Sequence, residues 1–94
     1  MALARVVSFE GVTDERVAEL TQRIEGDPRP EDVPAIEMLL LHDQQAGSAL
    51  AILLFDSEDD YRKGDETLNA MPSDDTPGSR ASVGKYRVAL RVTA

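Results

Sequence analysis

The chain has 94 residues, a formal net charge of −8 and no cysteine. This length has room for one domain, which we expect to span residues 1–94, and the negative charge argues against nucleic acid or an anionic membrane as the main partner. The lack of cysteine excludes disulfides, thiolate metal sites and a cysteine nucleophile.

The amino-terminal residues favour a cytoplasmic location. They show no basic region ahead of an apolar stretch, which a secretory signal would have. No uncharged apolar run approaches the roughly 20 residues that a membrane-spanning helix needs. We therefore expect a cytoplasmic protein with no membrane partner.

The first part of the chain predicts a strand and a helix. Leu3–Phe9 is rich in apolar and β-branched residues and is soon followed by a glycine, which is typical of a short buried strand. Thr13 is placed to cap a helix, and Val12 and Val17 are spaced as a hydrophobic staple across that cap. The helix then repeats apolar residues at helical spacing, namely Val17, Leu20 and Ile24. We expect it to end at Gly26.

A proline-rich connector precedes a predicted β-hairpin. Residues 26–34 contain three prolines and several charges, which indicates an extended loop. Ala35–Leu41 and Ala49–Phe55 are two apolar runs, and the polar segment 43–48 between them has a length typical of a hairpin. These runs predict strands two and three.

The second predicted helix begins at Ser57, which can cap it, and continues with acidic residues that suit the positive end of a helix dipole. Its apolar edge is expected at Tyr61, Gly64, Leu68 and Met71, and Pro72 is expected to end it. A glycine inside a helix costs about 1 kcal/mol relative to alanine. Gly64 would nevertheless allow the helix to lie close to a strand.

The last segment alternates in polarity, as a half-buried strand does. One series of alternate residues is apolar and consists of Tyr86, Val88, Leu90 and Val92. The other series contains the basic residues Lys85, Arg87 and Arg91. We expect the apolar series, including Tyr86, to face the core and the basic series to face solvent.

The order β-α-β-β-α-β predicts a ferredoxin-like α+β fold. In this fold two helices cover one face of a four-stranded antiparallel sheet. Strands two and three are apolar on both faces, so two helices cannot cover all of their apolar side chains. Because a leucine-sized side chain left in water forfeits roughly 1.5–3 kcal/mol, we expect a second copy of the chain to cover the free sheet face and form a homodimer.

Four segments show a pattern that is found in a known group of proteins. They are Ala4–Val12, Ala49–Phe55, Ser57–Asp60 and Tyr86–Val92. With the order of the elements, they resemble the dimeric α+β-barrel superfamily and, more narrowly, small bacterial proteins related to antibiotic biosynthesis monooxygenases. The resemblance implies two sheets that face each other across a twofold axis, with a pocket between sheet and helices in each subunit. The superfamily includes cofactor-free oxygenases, haem-degrading enzymes, isomerases and amino-acid-sensing domains, so the resemblance does not decide the function.

Few residues qualify as catalytic groups. The oxygenases and haem-degrading enzymes of the superfamily generally rely on a tryptophan in the pocket, and this chain has none. His42 lies beside Asp43, where a carboxylate neighbour can orient a general base, although a strand-end histidine partly exposed at the hairpin is the simpler interpretation. Tyr61 and Tyr86 are the other candidates, and core packing with one satisfied hydroxyl is the alternative for each.

The chain shows no pattern typical of a metal or cofactor site. One histidine and no cysteine leave only scattered carboxylates as ligands. The acidic run Asp56–Asp60 is followed by a tyrosine where a calcium loop has its turn glycine, so we interpret these acids as a helix start. We expect no metal and no cofactor.

Basic residues gather near the end of this acidic chain. Lys85 and Arg87, with Arg80 and Arg91 on either side, form a basic stripe. The stripe would either draw an anionic ligand towards a cleft or meet an acidic surface of a second subunit. Alternatively, it protects an edge strand from aggregation. Lys85 and Arg87 are therefore the candidate ligand-binding residues.

Two functions of different classes are compatible with these patterns. The first is a dimer that binds a small apolar or aromatic molecule, or a protein partner, without catalysis. The second is a cofactor-free monooxygenase that acts on an aromatic or polyketide-like substrate, with His42, Tyr61 and Tyr86 as its pocket groups. We favour the first because the sequence shows no convergent set of catalytic groups.

Overall fold

The computed structural model describes residues 2–26, 33–70 and 77–92. Its elements are, in chain order, β1 (Leu3–Glu10), α1 (Asp14–Gly26), β2 (Glu37–Asp43), β3 (Ser48–Phe55), α2 (Glu58–Asn69) and β4 (Ser79–Arg87). The predicted order β-α-β-β-α-β is confirmed, although the second strand begins two residues later than expected. Met71 and Pro72, where the second helix is expected to end, lie outside the described residues, as do residues 27–32 of the connector.

The four strands form one sheet in the order β2-β3-β1-β4, with antiparallel neighbours throughout. The central strands β1 and β3 pair along their full length, from Leu3 opposite Phe55 to Glu10 opposite Ser48. β2 and β4 are the edges. This topology confirms the ferredoxin-like α+β fold, with a four-stranded antiparallel sheet and two helices.

The strand register assigns the two faces of the sheet. On the helix face, which α1 and α2 cover, Val7 lies opposite Ala51 and Phe55 is 0% exposed. On the opposite face, which we call the open face, Leu41 of β2 lies opposite Leu50 of β3, and both side chains are exposed. The sequence alone leaves this assignment undecided for strands two and three, because both of their faces are apolar.

Both helices begin at the predicted caps. Thr13 Oγ1 accepts a hydrogen bond from the backbone amide three residues later at 3.2 Å, and Ser57 Oγ accepts the equivalent bond at 3.1 Å. Val12 is buried and Val17 packs against its cluster, which confirms the predicted hydrophobic staple. The caps satisfy first-turn amides and so define where each helix begins.

A glycine sets the distance between α2 and the sheet. A Cβ atom at Gly64 would stand 2.5 Å from Cε1 of Phe55, far inside van der Waals contact. A larger residue at this position would therefore push the helix away from β3 or displace the phenylalanine ring. The expectation that Gly64 lets the helix lie close to a strand is confirmed.

β4 differs from its prediction in position and in the exposure of its side chains. The strand ends at Arg87, so Leu90 and Val92 lie beyond it and are exposed, Leu90 at 81%. Tyr86, which we expected to face the core, lies on the open face and is 59% exposed. α1 and α2 both pack on the other face of the sheet, so Tyr86 has no helix over it, and Leu90 and Val92 follow the end of the strand.

Candidate functional site

A buried arginine lies on the helix face of β1. Arg5 is flanked by apolar residues along the strand and is only 2% exposed. Its Nε donates a hydrogen bond to Oδ1 of Asp65 at 2.9 Å, and its Nη2 donates one to Oδ1 of Asn69 at 3.0 Å. Both partners lie on α2, one helical turn apart. The Asp65 carboxylate compensates a charge that would be costly to bury alone.

Asn69 joins a second arginine to this site. Its Oδ1 also accepts a hydrogen bond from Nη1 of Arg80 at 2.9 Å, and its Nδ2 donates one to Oδ2 of Asp65 at 3.3 Å. Arg80 lies on β4, so the hydrogen bonds connect β1, α2 and β4. We call these four residues, Arg5, Asp65, Asn69 and Arg80, the polar network. It offers charge and hydrogen bonds to a ligand, and its single carboxylate, that of Asp65, is engaged by Arg5 and Asn69.

Tyr61 lies near the polar network on the sheet-facing side of α2. Its ring packs edge-on against Phe55, with ring centroids 5.5 Å apart, and Nζ of Lys85 lies 4.9 Å from its centroid in a cation–π contact. Burial and, next, the Asp65 carboxylate raise the pKa of Tyr61 above its ordinary value, although Arg5 and Lys85 act in the opposite direction. Tyr61 is therefore a neutral phenol at physiological pH and can donate a hydrogen bond.

The basic stripe of β4 lies on the helix face. Lys85 forms an ion pair with Glu58 in the first turn of α2, and Arg87 is exposed on the same side of the strand. Arg91 lies beyond β4 and pairs instead with Glu37 of β2. Because β4 is an edge of the sheet, its cations also suit the alternative role of protecting an edge strand.

His42 does not have the carboxylate neighbour that we expected. Asp43 Oδ1 instead accepts hydrogen bonds from two backbone amides of the hairpin turn, each at 3.1 Å, as aspartate commonly does in turns. The carboxylate near His42 is that of Asp14 in α1, with Oδ1 3.8 Å from Nδ1 of the imidazole. Nε2 of His42 is buried and has no hydrogen-bond partner among the described residues. Nδ1 is thus the ring nitrogen that lies near a carboxylate, whereas Nε2 is enclosed by the protein.

Tyr86 lies on the opposite side of the sheet from the polar network. Its ring covers Gly84, where a Cβ atom would stand 2.6 Å from Cε2 of the ring. The ring shields the backbone of β4 at the glycine, as aromatic residues do beside glycines in edge strands. The predicted core position of Tyr86 is wrong because no helix covers that face.

The three candidate catalytic residues do not form one site. His42 lies opposite Ala49, whereas Tyr61 packs against Phe55. These two β3 residues are six positions apart, which corresponds to about 20 Å along a strand. Tyr86 lies on the other face. The structure brings together only Tyr61 and the polar network.

The polar network was not predicted from the sequence. The available signal was an arginine at an inward position of an apolar strand, because a buried charge requires a partner. The partners of Arg5 are 60 and 64 residues away along the chain. No local pattern connects residues at that separation.

Residues 2–26, 33–70 and 77–92 contain neither a cluster of metal ligands nor a helix suited to a membrane. In this part of the chain, no three histidine, aspartate or glutamate side chains gather closely enough to hold a metal ion. None of its helices combines the length and apolar character that crossing a bilayer requires.

Comparison with known proteins bears on the fold. No protein-family model matches the chain, and no curated protein matches its sequence significantly. A solved structure from Chloroflexus aurantiacus J-10-fl, of a protein provisionally described as an antibiotic biosynthesis monooxygenase, matches with a TM-score of 0.56 over 100% of this chain and 96% of that chain. The two sequences are only 8% identical, so the likeness concerns the fold alone. The chain therefore has the ferredoxin-like fold of an antibiotic biosynthesis monooxygenase-like protein, as the resemblance of its sequence implied.

Proposed function

We propose that residues 1–94 form one cytoplasmic domain that assembles as a homodimer through its open face and binds a small apolar or aromatic molecule without converting it. The exposed leucines of the open face support the dimer. An uncovered apolar residue beside the polar network supports the ligand site. The separation of the candidate catalytic residues supports binding rather than catalysis.

The open face is the observation that carries the proposal. Leu41 is 48% exposed and lies opposite Leu50, and Leu39 is exposed next to them on the same face. Covering the exposed part of one such leucine contributes about 1 kcal/mol. Ile52 and Leu54 continue the apolar surface along β3, so the middle of the face carries no charge that would repel a second copy of this acidic chain. Two identical apolar sheets can therefore cover each other.

The helix face supports the ligand site. α2 packs on the central strands, so Val83 of β4 remains 42% exposed on that face, two residues before Lys85. Lys85 in turn contacts the ring of Tyr61. An apolar ligand would cover the valine and lie against α2, with the polar network beside it, which is the usual composition of a small-molecule site.

The dimer is tested by measuring the mass in solution by light scattering after gel filtration over a dilution series. We expect twice the chain mass of 10.3 kDa for the wild type and a single-chain mass for Leu41→Glu. Val83→Glu is the matched control, because this valine is similarly exposed but lies on the helix face, and it should remain dimeric. The proposed interface is wrong if the wild type is a monomer throughout the series. It is also wrong if Leu41→Glu remains a dimer while Val83→Glu becomes a monomer.

Cofactor-free oxygenation of an aromatic or polyketide-like substrate is the second candidate function. It is favoured by the neutral phenol of Tyr61 beside Arg5 and Lys85, on a fold that matches a protein provisionally described as a monooxygenase. Oxygen uptake with electron-rich polycyclic phenols tests it. Uptake that is lost in Tyr61→Phe, in a variant whose mass in solution is unchanged, would replace the non-catalytic proposal. No uptake across such a panel supports binding without conversion.

A further inference from the structure

The helix side of β4 carries more positive than negative charge, although the chain as a whole has a formal charge of −8. Arg80, Lys85 and Arg87 all lie on this side of the strand. Lys85 is paired with Glu58, but among the described residues Arg80 bonds only to a neutral amide, and Arg87 has no carboxylate partner there. Within the described residues, this side of β4 therefore favours an anionic group.

Asn69, the neutral partner of Arg80, also binds a second arginine. Oδ1 of Asn69 accepts from both Arg5 and Arg80, at 3.0 and 2.9 Å. An uncharged amide oxygen thus lies between two guanidinium groups, one buried and one exposed. A carboxylate makes stronger hydrogen bonds to a guanidinium than an amide oxygen does. The exposed Arg80 can therefore replace its hydrogen bond to Asn69 with one to the charged group of a ligand, or make both bonds at once.

One exposed apolar side chain lies between Arg80 and the Tyr61 end of α2. Asn69 contacts Arg80 at one end of this helix, and Tyr61 contacts Lys85 at the other. The eight residue steps from Tyr61 to Asn69 correspond to about 12 Å of helix. The half-exposed Val83 lies between Arg80 and Lys85 along the strand. A ligand bound here would meet Arg80, whose partner is neutral, at the Asn69 end, then Val83, and then Lys85, whose charge Glu58 already compensates.

We propose that the ligand is a small organic carboxylate with an apolar or aromatic body, whose anionic group binds Arg80 beside Asn69 and whose body lies over Val83 towards Tyr61. The assignment rests on the proposed function, because it names the class of molecule that the helix-face site accepts. Arg80 provides the preference for the anion, and the exposed valine provides the preference for an apolar body.

The experiment compares three molecules by isothermal titration calorimetry with the full chain: 2-naphthoate, 2-naphthamide and acetate. Naphthoate and naphthamide share a body but differ in charge, and acetate has the charge without the body. We expect naphthoate to bind about tenfold more tightly than naphthamide, since one charge-assisted hydrogen bond can supply that difference, and acetate to bind most weakly. In Arg80→Gln the ratio of the two naphthalene affinities should fall to about 1.

Arg62→Gln is the control variant, because Arg62 is also on α2 but is exposed and pairs only with Asp59, three residues before it. It should leave the naphthoate to naphthamide ratio unchanged. If naphthamide binds as tightly as naphthoate, or if Arg80→Gln keeps the wild-type ratio, the anion assignment is wrong while the proposed binding function stands. If neither naphthalene compound binds, the ligand-binding part of the proposed function fails, and the assignment fails with it.

Discussion

The two faces of the sheet are built from the same strands but differ in how far the helices cover them. Along β3, Leu53 and Phe55 point towards the helices and are buried, whereas Leu50 points to the open side and is exposed. The fully buried charge, Arg5, lies on the covered face. In most half-covered antiparallel sheets the polar side chains face water and the apolar ones face the helices. Here a charged side chain lies on the face that the helices cover, and leucines are exposed on the other face.

This reversal indicates that the faces have different requirements. A buried arginine needs specific hydrogen-bond partners, so it favours one position of α2 over the sheet. The exposed leucines need only an apolar cover of matching shape. The helix face is thus covered largely by the chain itself, whereas the open face would be covered by a second copy in the proposed homodimer. Stability should accordingly have one part that is independent of protein concentration and one part that rises with it.

The largest effect is expected from Phe55→Ala on the covered face. Removing this completely buried ring should lower the free energy of unfolding by about 3–5 kcal/mol. Leu41→Ala on the open face should cost about 1 kcal/mol in dilute solution and more at high concentration, because it also weakens the dimer. Urea denaturation followed by circular dichroism at two protein concentrations measures both values.

If Phe55→Ala does not fold, Phe55→Leu keeps the comparison measurable, since a hydrophobic substitution closer in volume should cost about 1.5 kcal/mol or less. Two results would contradict the difference between the covered and the open face. One is a loss of unfolding free energy in Phe55→Leu that grows with protein concentration, and the other is a loss in Leu41→Ala that does not.

The next largest effect concerns the polar network. Asp65→Ala removes the carboxylate that compensates Arg5 and should lower the free energy of unfolding by about 1.5–3 kcal/mol. Arg5→Met should cost less, because it removes the buried charge together with its need for a partner. Adding Asp65→Ala to Arg5→Met should then have little further effect. Denaturant unfolding of the two single variants and the double variant gives the coupling between them.

Glu66→Ala is the control for Asp65→Ala, because this neighbouring carboxylate on α2 is exposed. It should change the free energy of unfolding by no more than about 0.5 kcal/mol. Equal losses for Asp65→Ala and Glu66→Ala would show that the contact with Arg5 contributes nothing.

The smallest effect is the pH dependence of stability that Tyr61 adds on the covered face. Because burial raises the pKa of Tyr61 in the folded protein above its value of about 10 in the unfolded chain, its contribution is fully present below about pH 10 and is lost as the pH rises through the folded value. Stability should therefore fall above about pH 10 in the wild type, and Tyr61→Phe should reduce that fall. Denaturation midpoints and phenolate absorbance between about pH 9 and 11 measure it.

A high-pH loss of stability that Tyr61→Phe leaves as steep as in the wild type would contradict this assignment, because a group other than the buried phenol would then cause the loss.

The sequence predicted those parts of the fold that local patterns determine. The caps at Thr13 and Ser57, the hairpin and the close approach at Gly64 were correct, because each depends on residues a few positions apart or on a single side chain. The exposure of Tyr86 was wrong, since alternation shows that a strand has two faces but not whether a helix covers either of them. For the same reason, alternation along single strands could not show that the candidate catalytic residues lie at separate places in the fold.

The polar network lay beyond such patterns altogether. Arg5 and Asp65 are 60 residues apart in the chain and meet only when α2 lies on β1. Lys85 and Arg87 share one side of the last strand, as predicted, but that side is the helix face rather than the side away from the core, and Arg91 lies beyond the strand and binds Glu37. Contacts between distant residues decided the site, and they follow from the assembled sheet.

The glycine in α2 also determines which acid can meet the buried arginine. Because no side chain at Gly64 separates the helix from Phe55, the next residue along α2 is held near the sheet. The short carboxylate of Asp65 therefore reaches Arg5 at 2.9 Å. The longer side chain of a glutamate would have to fold back to fit this gap. Moving the helix away from the sheet by the width of a methyl group should therefore change the preferred residue at position 65 from aspartate to glutamate.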